Sequence, residues 1–389
     1  MASQREYDIV IFGASGFTGR LVAEYLATVG GHGLRWAMAG RSAEKLASVR
    51  AEIGAPEATP LVVADSADAD SLRELVENTR CVISTVGPYQ LYGTGLVAAC
   101  AAAGTHYVDL CGEPLWMADM IAAHSEAARA SGARIVFSCG FDSIPFDLGV
   151  LFLQDAARET LGAPCERVRG RVRAMKGEFS GGTAASLGAT MAAIKEQPEL
   201  LHKLIDPFCL AEGFKGPEQP ADNKPMEDEV LGQWVAPFIM ATINSKNIHR
   251  SNALMGHPYG ENFRYDEMLV TGSGEQGKAV AEMVASSNPL GGEDAPKPGE
   301  GPSREAREAG SYDVLFIGTD GQGGEVRASV SGDLDPGYGS TSRMIAESAV
   351  CLIEDCGDLP GGIYTPAPAM GQRLIARLVK HAGLEFRRE

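Results

Sequence analysis

Apolar positions along the first 150 residues follow two alternating periods. Short runs rich in Val, Ile and Ala occupy Tyr7–Phe12, Leu34–Ala39, Pro60–Ala64, Cys81–Val86, His106–Leu110 and Arg134–Ser138. They are too brief for helices and predict strands. Between them apolar residues recur at helical spacing, as with Leu21, Val22, Tyr25, Leu26 and Val29 within Arg20–Val29. Helices are likewise predicted over Ala43–Ile53, Ser71–Asn78, Gly95–Ala103 and Met117–Ser131. Regular strand–helix alternation predicts an α/β fold with a doubly wound parallel sheet. In such sheets ligands bind outside the carboxyl ends of the strands. Residues 13–19, 40–42, 65–66, 87–93, 111–114 and 139–145 therefore share one rim.

The pattern changes after Leu161. Arg167–Met175, Tyr312–Thr319 and Glu325–Gly332 read as strands, the last two paired across the turn at Gly321–Gly324. Helical spacing returns in Thr183–Glu196, Thr341–Cys356 and Met370–His381. Residues 211–229 and 286–310 are rich in Pro, Gly and acids and read as loops. Without regular helical crossovers, this half predicts an α+β domain with a largely antiparallel sheet. The expected division is 1–145 plus 338–389 for the first domain and 146–337 for a substrate or lid domain. The apolar run Leu231–Ile243 holds Gln233 and Pro237 and is read as core or interface, although an acyl chain or a bilayer would also suit it.

Charge narrows the partners. The 389 residues carry 51 acidic and 34 basic side chains, a formal charge of −17. Such a surface repels nucleic-acid backbones. No signal peptide or membrane-spanning run is read from the sequence. Eight scattered cysteines form no CxxC pair, which points to a reducing, cytoplasmic setting and to no structural metal.

The strongest chemical motif is Gly13-Ala14-Ser15-Gly16-Phe17-Thr18-Gly19, set between the first strand and the first helix. Gly13 permits the turn, Gly16 lets backbone approach a pyrophosphate, and Gly19 lets the helix pack on the strand. This is a Rossmann dinucleotide site. At the end of the second strand an NAD-preferring site carries an acid, whereas this chain reads Gly40-Arg41-Ser42. Arg41 can pair with a 2′-phosphate and Ser42 can add a hydrogen bond, so NADP(H) is the expected cofactor. Asp65-Ser66 after strand three is expected near the adenine, and Val86-Gly87-Pro88 after strand four near the nicotinamide ribose. A reduction also needs a proton. Tyr89, two residues past Gly87, is the expected donor, with Tyr92 and Tyr107 as alternatives; His106 and His124 are assigned to structure.

Several segments carry a family resemblance: Gly13–Gly19, Val86–Gly93, Gly104–Glu113, Gly140–Gly149, Ser180–Thr183 and Asp335–Tyr338. Together they resemble the saccharopine dehydrogenase-like oxidoreductases, and within them the bacterial trans-acting enoyl reductase branch. The resemblance implies that Glu113, Asp142 and Ser143 face the active-site cleft. Asp142 and Asp147 also suit capping of the helix that begins near Pro145. Ser180-Gly181-Gly182-Thr183 precedes a helix and is expected to bind substrate, if it is not simply a helix start.

The expectation is an NADPH-dependent oxidoreductase, favouring an enoyl reductase acting in trans on lipid or polyketide intermediates. Two alternatives stand beside it. One is saccharopine-type C=N chemistry, whose polycarboxylate substrate would need convergent Arg or Lys. The other is a non-catalytic NADP-binding redox sensor. Expected partners are a small-molecule or carrier-bound acyl substrate, acyl carrier protein as carrier, and a second copy of the chain in a homodimer. Arg167, Arg169, Arg171 and Arg173 alternate along one strand and so share one face. That face is either answered by acids of the same chain or docks an anionic carrier.

Overall fold

The computed structural model describes residues 5–177, 181–287 and 300–389. Six strands follow the predicted alternation: β1 (Tyr7–Phe12), β2 (Trp36–Gly40), β3 (Leu61–Val63), β4 (Thr79–Ser84), β5 (His106–Asp109) and β6 (Arg134–Val136). The middle strands β1, β2 and β4 are buried on both faces, which explains why they read as near-continuous apolar runs. Every pairing in this sheet is parallel, and its order is β13-β6-β5-β4-β1-β2-β3, where β13 is Gly362–Tyr364. The chain thus returns from its far end to extend the sheet beyond β6.

The second sheet also has seven strands. Its members are β7 (Arg167–Lys176), β8 (Met226–Asp228), β9 (Gln233–Pro237), β10 (Arg264–Gly272), β11 (Ser311–Thr319), β12 (Glu325–Gly332) and β14 (Leu384–Arg388). They run in the order β14-β12-β11-β7-β10-β9-β8. Only β7 and β10 are parallel; the other pairs are antiparallel, so the sheet is mixed. The expected division placed all of 338–389 with the first sheet. Instead, β14 hydrogen-bonds β12 at the edge of the second.

One helix joins the two sheets. Ile144–Leu161 begins at the rim after β6 and lies against β11 and β12. A Cβ on Gly149 would fall 2.3 Å from the Phe316 ring, so glycine is what allows this helix to sit so close to β11. Ser143, at the start of the helix, is therefore where the rim of the first sheet meets the second unit. Residues 288–299 of the predicted loop 286–310 lie outside the described residues, and a short helix occupies Arg304–Glu308.

Candidate active site

The phosphate loop has the geometry its glycines predict. Gly13 sits at φ +94°, and a Cβ there would meet Val86 and Thr85 at 2.7 and 2.8 Å. A Cβ on Gly19 would strike the Gly13 carbonyl oxygen at 2.2 Å. The helix Phe17–Thr28 has no side-chain cap at Gly16 and no acid in its first turn. Its leading N–H groups and positive dipole end are left for an anion, and a dinucleotide phosphate fits that need. Ala14 is buried and Thr18 opens on the cleft. Phe17 packs edge-on to Tyr338 with Arg20 and Arg307 over its ring, so its part is to brace the loop.

At the far end of the rim, Arg41 is exposed and no acid follows β2. The Ser42 hydroxyl accepts from Lys45 N and caps the helix Ala43–Glu52. Asp65 closes its own turn by accepting from Ala67 N, beside Ser66. These four residues stand apart from the main cleft.

The main cleft, about 280 Å³, lies beyond the ends of β4, β5 and β6. Thr85, Gly87, Ser138 and Gly140–Ser143 form its floor. Gly182, Thr183, Ser186, Leu187 and Thr190, one face of the helix Gly181–Glu196, form a wall from the second unit. Ile239, Met240 and Ile243 close it from another side. The expected substrate motif is thus partly present at the cleft: Gly182 and Thr183 line it, the buried Gly181 N donates to Tyr338 Oη, and Ser180 lies outside the described residues. Asp142 is the one ionisable carboxylate or cation lining the cleft among the described residues.

Asp142 has an unusual environment. Its carboxylate makes no hydrogen bond among the described residues, and burial pushes it up to about 6. It caps no helix. Asp147 does cap one, but not its own: its Oδ2 accepts from Ala367 N at the start of the helix Pro366–Arg377. Ser143 is buried in the floor, its Oγ 2.7 Å from the Asp142 carbonyl oxygen and accepting from Asn247 Nδ2 at 2.8 Å.

Two expected catalytic residues prove to be braces. The Tyr89 hydroxyl donates to Ser84 O at 3.1 Å and accepts from Leu110 N at 3.0 Å, and burial drives its ionisation well up. Its hydrogen is committed to the backbone of β4, an arrangement that braces the rim. Glu113 is buried, and its two oxygens accept from Tyr89 N and Gln90 N at 2.7 and 2.9 Å. Ser186 Oγ adds a third bond at 2.6 Å, so Glu113 fastens the turn after β4 to the wall helix. Of the alternatives, Tyr107 is buried with its hydroxyl on Asp109, and Tyr92 is exposed.

Against this geometry stand the known proteins. A profile of the saccharopine dehydrogenase NADP-binding domain matches residues 9–136. A provisionally named trans-acting enoyl reductase of Mycobacterium tuberculosis is 40% identical over 97% of this chain and 96% of its own length. The trans-acting enoyl reductase of Mycobacterium bovis is 37% identical over the same shares. This chain belongs to the saccharopine dehydrogenase-like oxidoreductases. It is an NADP-dependent oxidoreductase, and the absence of an acid after β2 agrees with that cofactor. Apo saccharopine dehydrogenase of Saccharomyces cerevisiae has the same fold, with a TM-score of 0.55 at 10% identity over 98% of this chain and 100% of its own.

Sequence reasoning missed part of this oxidoreductase's cleft. Asp109 is buried at the end of β5, where its oxygens accept from Cys111 N, Ser138 N and Tyr107 Oη. It thereby knits the rims of β5 and β6. The helix Ala241–Leu254 was missed entirely, yet Asn244 and Asn247 on it reach Ser143. The arginine strand is answered internally. Arg171 is fully buried, 2.6 Å from Asp228 and 2.8 Å from Asp266; Arg167 also pairs with Asp266, and Arg173 pairs with Asp313 and Glu389. Only Arg169 makes no ion pair among the described residues, so most of the charge on this face of β7 is answered within the chain.

Proposed function

We propose that this oxidoreductase reduces an enoyl C=C bond, and that its substrate arrives as an acyl thioester on a carrier. The observation that carries the reading is the lining of the cleft. Among the described residues no Arg or Lys lines it, while Leu110, Phe141, Leu187, Leu204, Ile239, Met240 and Ile243 do. A polycarboxylate substrate of saccharopine type would be held by fixed cations. An acyl chain needs apolar walls. The names of the mycobacterial relatives agree with the enoyl reading.

Bound NADPH would supply a hydride to the β-carbon, and Gly13–Gly19, Arg41 and Val86–Pro88 would hold it. The chain's own residues then have two tasks. Asp142 gives a proton to the α-carbon, which completes addition of H⁻ and H⁺ across the double bond. A carboxyl raised to about 6 by burial keeps a useful protonated fraction near neutral pH. The helix Gly181–Glu196 and residues 239–243 exclude water during transfer. Glu113 positions both the turn after β4 and that helix. All eight cysteines are free, which suits a reducing cytoplasm. The test is NADPH oxidation against a panel of enoyl thioesters, with imino acids and 2-oxo acids plus amine as the other arm. Turnover confined to the second arm would overturn the proposal.

A further inference from the structure

Behind Ser143 a buried polar chain runs into the second sheet, and the reduction above makes no use of it. Asn244 Oδ1 lies 3.3 Å from Ser143 Oγ, and Asn244 Nδ2 donates to Glu267 Oε1 at 2.7 Å. Tyr265 Oη donates to Glu267 Oε2 at 2.6 Å. Asn244, Tyr265 and Glu267 are all buried, the last two on β10. In this arrangement Glu267 only accepts, which is the pattern of an ionised carboxylate. The Ser143 hydrogen can then go to Asn244 Oδ1.

A neutral Glu267 must place one hydrogen of its own. If Tyr265 accepted it, the tyrosine hydrogen would lose the only acceptor it has among the described residues, in a buried site. A half-turn of the Asn244 amide avoids this, because its oxygen and nitrogen exchange places at almost no steric cost. Glu267 then donates to Oδ1, and Nδ2 donates to Ser143 Oγ. The Ser143 hydrogen turns to the Asp142 carbonyl oxygen, 2.7 Å away. Asn244, Tyr265 and Glu267 keep their bonds in both arrangements, Asn247 Oδ1 finds no partner among the described residues, and the serine differs. With Asn247 as a constant donor, Ser143 keeps one acceptor position unused in the first arrangement and none in the second.

We propose that Glu267 is a positioning residue for the cleft, its protonation state setting the direction of the Asn244 amide and hence the hydrogen-bonding face of Ser143. Burial is the largest influence on Glu267 and pushes it up to about 8. Tyr265 and Asn244, which donate to it, pull it down, as does the charge of Arg171 on β7; the charge of Asp222 pushes it up. The neutral arrangement therefore holds below about pH 8 and the ionised one above. A hydrogen-bond donor entering the cleft finds an open acceptor at Ser143 only when Glu267 is ionised. The kinetic consequence rests on the reductase reading; the amide rotation does not.

The experiment follows the Asn244 side-chain amide by NMR in asparagine-labelled protein, assigned with Asn244→Leu, across a pH titration. In the wild type the resonance should shift with one inflection near pH 8. Glu267→Gln carries one donor and one acceptor, as the neutral acid does, so it should hold the resonance at its low-pH position throughout. Tyr265→Phe, which removes a donor to the carboxylate, should move the inflection upward, and it decides the matter should Glu267→Gln fail to fold. A wild-type resonance that does not titrate would overturn the proposal, as would an inflection unchanged in both variants. The pH profile of kcat/KM with an enoyl thioester should carry the same inflection, lost in Glu267→Gln. Failure of the wild type to reduce any enoyl thioester counts against the reductase reading, and the amide titration still decides this one.

Discussion

Asp142 is a carboxyl that has no hydrogen-bond partner and no charged neighbour in the cleft lining among the described residues, and such a residue costs stability. Its folded pKa, about 6, lies above the ordinary 3.8. Folding therefore favours the protonated form: the stability present below the ordinary value is lost as pH rises through about 6. Asp142→Asn removes the charge, so it should raise Tm at neutral pH, by an amount equivalent to about 1–3 kcal/mol. If Asp142 supplies the proton, the same variant should lower kcat/KM by about 100- to 10,000-fold. The wild-type kcat/KM should fall as pH rises above about 6. Thermal denaturation and a pH–rate profile check both halves; a destabilised variant with full activity would show that Asp142 is a packing residue. Arg41 carries the second prediction at this scale. It is exposed and faces no acid after β2, so its guanidinium is available to a 2′-phosphate. Arg41→Ala should weaken NADPH by about 1.5–3 kcal/mol, the value of a charge-assisted bond, and leave NADH nearly unchanged. Paired titrations of the two cofactors decide it, and equal wild-type affinities would refute it.

Among the elements, β7 shows why charge in a sequence is not charge on a surface. Four arginines at alternate positions mark one face, but the acids that answer them come from β8, β10, β11 and the last residue, Glu389, none of which is near in sequence. Asp228→Ala should remove the closest partner of a fully buried Arg171 and destabilise by about 3 kcal/mol, with Asp266 holding the remainder. NADPH affinity should not change, and added salt should not rescue Tm, because solvent ions do not reach the pair. An unchanged melting curve would contradict this account. The same physics explains which elements could be read from the sequence. β1 to β6 and their helices obey one period each and were evident. The helix Ala241–Leu254 buries Asn244, Lys246, Asn247, His249, Arg250, Ser251 and Asn252, so it has no polar face by which to recognise it. β10 buries Asp266 and Glu267 in mid-strand, which erases its alternation. β13 is no shorter than β3 or β6, but it and β14 stand outside the regular strand–helix alternation that marks those strands. At the site, the phosphate loop and the cleft floor follow from position after a strand. The bracing roles of Tyr89 and Glu113 depend on bonds between distant segments, which spacing does not encode.

For the whole molecule, the decisive feature is that the last fifty residues belong to both sheets. The helix Thr341–Glu354 lies against the phosphate-loop helix and against β4 and β5. Its Glu347 is fully buried and accepts from Tyr25 Oη at 2.5 Å, His32 Nε2 at 2.7 Å and Arg377 Nε at 2.9 Å, which ties the first helix and the turn before β2 to the chain's end. At the other end of the same helix, Thr341 Oγ1 accepts from Phe141 N and holds the floor of the cleft beside Asp142. β13 then completes the first sheet and β14 the second. A chain ending at Gly339 would lose all of these together, leaving buried Tyr25 without its acceptor and exposing the apolar surface of the first helix, β4 and β5 that Met344, Ile345, Ala349 and Leu352 cover. Truncation there should abolish cofactor binding or soluble expression. A shorter truncation at Gly383 removes β14 alone. It exposes the edge of β12 and frees Arg173 from Glu389, but it leaves Glu347, Thr341 and the whole first sheet intact. That protein should melt at a lower temperature and still bind NADPH with wild-type affinity. Ordered loss, with binding surviving the short truncation and failing in the long one, is the expected result of cofactor titrations on the two. Normal NADPH binding by the chain ending at Gly339 would show that the first sheet folds without its seventh strand.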